Sequence, residues 1–320
     1  MLSVGHAHDA HVRSGVTVLL PDGPLACAVD VRGGGPATRE TAAVGTDATL
    51  GIAHAVVLSG GSVFGLGAAD AVAAALSARG AGVALVPDTP PVPIVPAACL
   101  YDLNNGGAKD WGVEPPYAGL GRSALDAVGE GAASGSLGAG YGATAGTWRG
   151  GFGVASAAHD GTGVTAYLAV NAIGSPLMSD GRTFWAWPFE REGEFGGRRP
   201  GAVEPPPPLP TDIKGGGATA TCVGAVTVSA ALSRTALRRV AVMAQDGLAR
   251  ALRPSHAPFD GDTLFALCPQ GEASDDPGRT MALGSVAADC VARAVALGCW
   301  HASAGFAPTV RGSNPGDPDL

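Results

Sequence analysis

Residues 215–231, GGGATATCVGAVTVSAA, pass from three glycines straight into a run that reads as a buried β-strand. After it come a helix (SRTALRRVAVMAQDGLARAL), a strand (DTLFALCP) and a second helix (GRTMALGSVAADCVARAVALG), both helices carrying an apolar stripe and a polar face. This β-α-β-α order reads in two ways. It is either a small lobe of about 100 residues, or the completion of a sheet begun earlier, because its strands read as buried.

The upstream part supplies candidates for that sheet. SGVTVLL, ACAVDV, AHAVVLSGG and GVTAYLAVNAIG are strand signals, VALVP is another, and SVFGLGAADAVAAALSARG reads as a helix closed by glycine. A Pro-rich loop at 89–96 leads to CLYDLNNGG, and a helix is expected near 122–131. The tract GEGAASGSLGAGYGATAGTWRGGFGVAS is too glycine-rich for a helix and suits strands and turns that approach each other or a ligand closely. Residues 190–217 form the strongest linker signal.

The chain has 320 residues, 46% hydrophobic and only 15% charged, which describes a globular protein with a sizeable core. Its net charge of −8, with basic residues dispersed, argues against nucleic acid or an anionic membrane as partner. The N-terminus lacks a signal-peptide pattern, and no run of about 18 uninterrupted apolar residues occurs. The six cysteines are scattered without a C-x-x-C pair, so neither a zinc site nor a disulfide framework is expected, and a reducing cytoplasm fits best.

GLGRSA (119–124) and GAGYGA (138–143) look like dinucleotide fingerprints, but the first follows EPPY rather than a strand and no helix follows the second. His6, His8 and His11 alternate like metal ligands, yet a solvated terminal segment, which frays, accounts for them more simply. His256, in PSHAPFDGD, is the one histidine near other polar groups of interest, and loop packing accounts for it at least as well. Asp260 and Asp262 stand two apart at the entry to an apolar strand, either as carboxylates sharing one face or as part of an Asp-Gly turn.

Thr219, Thr221 and Cys222 are three candidate nucleophiles at the opening junction. A Thr hydroxyl there can attack the carbonyl just before it, and hydrolysis of the resulting ester frees a Thr with an α-amino group. That amine, with an ordinary pKa of about 7.7–8.0, is a usable base for its own hydroxyl. Nearby carboxylates would orient it.

Taken in order, VGHAHD, GVTVLL, ACAVDVRGGGPATRET, HAVVLSGGSVFGLGAADAV, PIVPAACLYDL, GAGYGATAG, GGFGVAS, AVNAIG, AQDGLARAL and PFDGDTLFAL resemble one family. It is the self-processing N-terminal-nucleophile hydrolases that include D-aminopeptidase, β-peptidyl aminopeptidases and the nylon-oligomer (6-aminohexanoate oligomer) hydrolase. The match runs from about residue 3 to about 309, least well over 190–217. The resemblance implies an α/β (α+β) four-layer α-β-β-α sandwich, shared with ornithine acetyltransferases. It further implies an α chain (1–220) and a β chain (221–320) that stay associated within one sandwich, usually in a tetramer of heterodimers. The cut falls between Ala220 and Thr221, with Thr221 as nucleophile, Asp260 and Asp262 as the acidic pair, and Asn171 and Tyr101 near the oxyanion. Ala220 stands where Asn or Gly is common. Thr147 stands where many members carry Lys, with Arg149 the nearby candidate for that charge. No metal or organic cofactor is implied. Substrates would be small peptides or linear amides. The competing expectations are an acyltransferase of the same fold and an unprocessed, inactive assembly protein.

Overall fold

The computed structural model describes residues 2–129, 132–201, 209–215 and 220–303. Two sheets face each other. The first has five strands in the order β1 (Leu2–Asp9), β2 (Ser14–Pro21), β6 (Val56–Ser59), β7 (Ala97–Cys99) and β4 (Ala37–Arg39). The second has six, ordered β10 (Gly151–His159), β11 (Thr162–Val170), β12 (Val223–Val228), β13 (Thr263–Cys268), β3 (Leu25–Val31) and β5 (Ile52–Ala53). A short hairpin joins β8 (Thr144–Ala145) to β9 (Trp148–Arg149). Helices α1 (Gly67–Ala78) and α2 (Tyr117–Asp126) cover the first sheet, and α3 (Arg234–Ala244), α4 (Asp246–Ala251) and α5 (Pro277–Ala302) cover the second.

Side-chain alternation produces these layers. On β13, Leu264, Ala266 and Cys268 enter the core under α3–α5. Phe265 and Leu267, one residue out of phase, enter the core between the sheets, where they join Leu19 and Leu58 of the first sheet. On β6, Val57 instead joins Val72 and Leu76 of α1. With both faces covered, such strands read as continuous apolar runs rather than alternating ones. The result is the expected α-β-β-α sandwich.

Downstream of the glycines, β12 pairs antiparallel with β11 and parallel with β13, and β13 pairs antiparallel with β3. The second reading of the junction therefore holds: residues 220–303 complete a sheet. The described part of the expected linker is also well attached. Glu190 accepts from the Phe195 and Gly197 amides, and Glu194 forms a two-pronged ion pair with the buried Arg293 of α5 at 2.6 and 2.8 Å. Residues 202–208 and 216–219, including Thr219, lie outside the described residues.

Of the N-terminal histidines, His6 and His8 belong to a strand rather than a solvated tail, and His11 is exposed in the turn after it. β1 pairs with β2 along its length, His6 Nδ1 meets Thr17 Oγ1 at 2.9 Å, and His8 stacks on Tyr141. Burial, aided by His8, pulls the His6 pKa down to about 4. GLGRSA lies inside α2, so it forms no strand–turn–helix phosphate site.

Candidate active site

Thr221 sits just before β12 and is 3% exposed. Its backbone N–H donates to Asn171 O, just beyond β11, at 2.8 Å. Its hydroxyl donates to the carbonyl oxygen of Ala220, the residue before it. The Gly261 N–H points at both partners, 3.0 Å from Thr221 Oγ1 and 3.1 Å from Ala220 O. A hydroxyl, the carbonyl preceding it and one N–H donor within reach of both are thus brought together. A Cβ on Gly261 would stand 2.7 Å from Thr221 Oγ1, so only glycine lets this amide approach so closely.

The turn carrying Gly261 holds both carboxylates. Asp260 accepts from the Ala257 and Ile173 amides at 2.8 and 3.3 Å. Asp262 accepts from the Cys222 amide at 2.8 Å and meets His256 Nδ1 at 2.8 Å. FDGD thus forms the turn, with Asp260 N closing onto Ala257 O, and its carboxylates bind amides of the segments around Thr221, Ile173 N and Cys222 N. The RGGG segment explains how the turn is held. Arg32 N donates to Asp262 O and Gly35 N to Asp260 O, and a Cβ on Gly33 would lie 2.3 Å from Asp260 O.

Charge in this enclosed space shifts several groups. Burial, reinforced by Asp262, pushes Asp260 from the ordinary 3.8 up to about 6. Burial would lower the His256 pKa, but the hydrogen bond and charge of Asp262 outweigh it and raise it. Burial first, then the two carboxylates, pushes the Cys222 thiol well above its usual range. A thiolate is the nucleophilic form of cysteine, so Cys222 is a packed thiol.

Asn171 links this centre to the other sheet. Its Nδ2 donates to Tyr101 O at 2.7 Å, and its Oδ1 accepts from Thr144 N at 3.0 Å. Tyr101 therefore enters the site through its backbone carbonyl. The next residue, Asp102, is buried and fixes that loop by accepting from Ser14 Oγ at 2.7 Å and Gly61 N at 2.8 Å.

Two members of the site are not assigned by the sequence reading. The sequence leaves His256 open between a polar role and loop packing, and its partnership with Asp262 depends on a turn that brings its ring back. Lys214 lay hidden in the glycine-rich linker, yet it is buried, and its Nζ donates to Asn171 Oδ1 at 3.0 Å and Asn171 O at 3.2 Å. Arg149 points its guanidinium at Ser136 Oγ, 3.2 Å away, while the Thr147 amide binds Asp212 O at 2.9 Å and so supports the segment carrying Lys214. The only signal for Lys214 was its rarity: the chain has two lysines, Lys109 and Lys214. Beside this segment, a cavity of about 180 Å³ is lined by Trp148, Leu177, Met178, Trp185 and Asp212, among others.

Two facing sheets, each covered by helices on its outer face, are the architecture of the Ntn hydrolase fold. The chain superposes on the L-aminopeptidase D-Ala-esterase/amidase from Ochrobactrum anthropi, described as a variant of that fold, with a TM-score of 0.68 at 19% identity, covering 94% of this chain and 84% of the other. The chain belongs to peptidase family S58, whose sequence model matches residues 2–310. It is 40% identical to an uncharacterized aminopeptidase of Mycobacterium tuberculosis over 94% of this chain and 90% of the relative. It is also 28% identical to the 6-aminohexanoate-oligomer endohydrolase of an Agromyces species, covering 83% and 72% respectively.

Proposed function

We propose that the protein cuts itself between Ala220 and Thr221 and then hydrolyses amide bonds through an acyl-enzyme on the new N-terminal threonine. The observation that carries this reading is the Gly261 N–H directed at both Thr221 Oγ1 and Ala220 O. Attack of Oγ1 on the Ala220 carbonyl carbon places negative charge on Ala220 O, under that donor. Collapse breaks the C–N bond, the Thr221 nitrogen takes the hydroxyl proton, and an ester remains. Water hydrolyses the ester, leaving a carboxylate on Ala220 and a free amine on Thr221. Replacement of Asn or Gly by Ala220 leaves this route open, since it uses only the carbonyl.

In turnover, the Thr221 amine removes the proton from its own hydroxyl as Oγ1 attacks the substrate carbonyl. The Gly261 N–H, released from Ala220, and the second hydrogen of Asn171 Nδ2 serve the substrate oxyanion. Tyr101 supports this step by anchoring Asn171. Asp260 and Asp262 orient the terminus. The substrate class is short peptides with a free amine or linear amide oligomers, a reading supported by the relatives named aminopeptidase and oligomer endohydrolase. Fragments 1–220 and 221–320 stay associated, and a tetramer of such pairs is the assembly to test by light scattering.

Denaturing mass analysis of the purified protein tests the centre of this reading. Two fragments are expected, the smaller beginning Thr-Cys-Val-Gly, with Thr221→Ala left as one chain and Cys222→Ala still cut. A smaller fragment beginning at Thr219 or Cys222 would remove Thr221 from its role. Turnover on α-aminoacyl amides, β-aminoacyl amides and 6-aminohexanoate oligomers then defines the substrate. Release only to an added amine acceptor, with none to water, would make the protein an acyltransferase.

A further inference from the structure

Lys214 is placed where an ordinary linker lysine would not be. Its backbone N–H donates to Ile173 O at 3.0 Å, and the Asp212 carbonyl two residues earlier is held by Thr147 N at 2.9 Å. Asp212 Oδ2 is also bound by Trp148 Nε1 at 2.8 Å and by Ser175 Oγ. The segment is therefore pinned at the lysine and two residues before it. Its Nζ reaches Asn171 O, the same carbonyl that accepts the Thr221 N–H.

The identity of the residue adds a second observation. Of the 20 Lys and Arg residues, only Lys109 and Lys214 are lysines. Both donate Nζ to a backbone carbonyl and to an Asn Oδ1: Val12 and Asn105 for Lys109, Asn171 for Lys214. A compact ammonium fits such a corner, whereas a planar guanidinium needs a wider fork of acceptors.

We infer that Lys214 is a positioning residue of the catalytic centre: its ammonium shares the Asn171 carbonyl with the Thr221 amine and keeps that amine unprotonated and able to act as a base. This rests on the reading of Thr221 as a released terminus. The charges around that terminus explain the need. Asp260 and Asp262 face it from the turn before β13, with His256 bound to Asp262 and Arg32 acting on His256; Cys222 beside it is a buried thiol. Two carboxylates alone would hold the new amine as an ammonium, which cannot accept the hydroxyl proton. A fixed cation on the shared carbonyl opposes them. Lys214 lies on the upstream side of the proposed cut, so the working centre draws on both fragments.

The test starts with mass analysis of wild type, Lys214→Met and Lys214→Arg, which reports cleavage at Thr221 separately from everything that follows. The α-amine of cut wild type is then titrated by pH-dependent reductive methylation, read on the Thr-Cys-Val-Gly peptide. A pKa below the ordinary value of about 7.7–8.0 is expected. In Lys214→Met the acid limb of kcat/KM should move up by about one pH unit, cutting activity near pH 7 roughly tenfold with recovery at higher pH. Lys214→Arg, which keeps the charge but not the fit, should move the limb in the same direction by less. A wild-type amine at or above its ordinary pKa overturns the proposal, as does a pH-independent loss in Lys214→Met. If Lys214→Met is not cut, the titration of Lys214→Arg decides, and an amine pKa unchanged from wild type there overturns the proposal. An uncut wild type removes the proposal together with the reading beneath it.

Discussion

Gly261 has no room for a side chain, with Thr221 Oγ1 and Gly35 O each 2.7 Å from where a Cβ would stand. Gly261→Ala should therefore displace the turn and slow self-cleavage by roughly a hundredfold or more, the scale of losing one oxyanion donor. Precursor accumulation followed by mass, with circular dichroism to verify folding, checks this; normal cutting in the variant would show that the Gly261 amide is dispensable. Its neighbour Asp262 supports the Cys222 amide and His256, so Asp262→Asn should lower turnover by more than about tenfold. Asp260 gives a pH prediction. With its folded pKa raised to about 6 from the ordinary 3.8, the folded state keeps a proton that the unfolded chain has lost, so stability falls as pH rises through that window. The loss amounts to as much as roughly 3 kcal/mol by linkage. Urea midpoints of Thr221→Ala between pH 4 and 7 should show this slope, and Asp260→Asn added to it should flatten the slope whatever it does to absolute stability. Asp260, Asp262 and Asn171 were legible because they stand inside recognisable strand-end motifs. His256 and Lys214 were not, because each acts through chain that reads only as loop.

At the level of elements, strands were easier to read than attachments. A strand buried on both faces announces itself by an unbroken apolar run, and β11, β12 and β13 did so. The pairing order was not written there: the sequence left β12 and β13 free to form their own lobe, and only long-range packing between β11 and β3 decides otherwise. Residues 190–201 show the reverse error. Glycine and proline mark the absence of regular hydrogen-bonded structure, yet side chains from this stretch bind the core, above all Glu194 to Arg293. Arg293 is 6% exposed and also donates to Ser156 O at 2.7 Å, so it ties the stretch to both α5 and β10. Glu194→Ala would leave that guanidinium unpaired inside the protein and should destabilise the Thr221→Ala precursor by about 3–5 kcal/mol. A urea midpoint unchanged from the parent would reduce the pair to a surface contact.

Across the whole molecule, the four layers were foreseen from a resemblance spread over most of the chain, whereas the joining of the two halves through one sheet had to be seen. β12 and β13 lie between β11 and β3, both drawn from residues before the proposed cut. Fragments 1–220 and 221–320 should therefore co-elute in native size exclusion and separate only in denaturant; separation under native conditions would contradict this interleaving. The same arrangement changes the molecularity of unfolding. An intact precursor comes apart and returns as one particle. A cut chain releases two, each with unpaired strand edges exposed to association with the wrong neighbour. Recovery then depends on concentration and competes with aggregation. The mature protein would thus persist by coming apart slowly, after folding once while its two halves were still tethered.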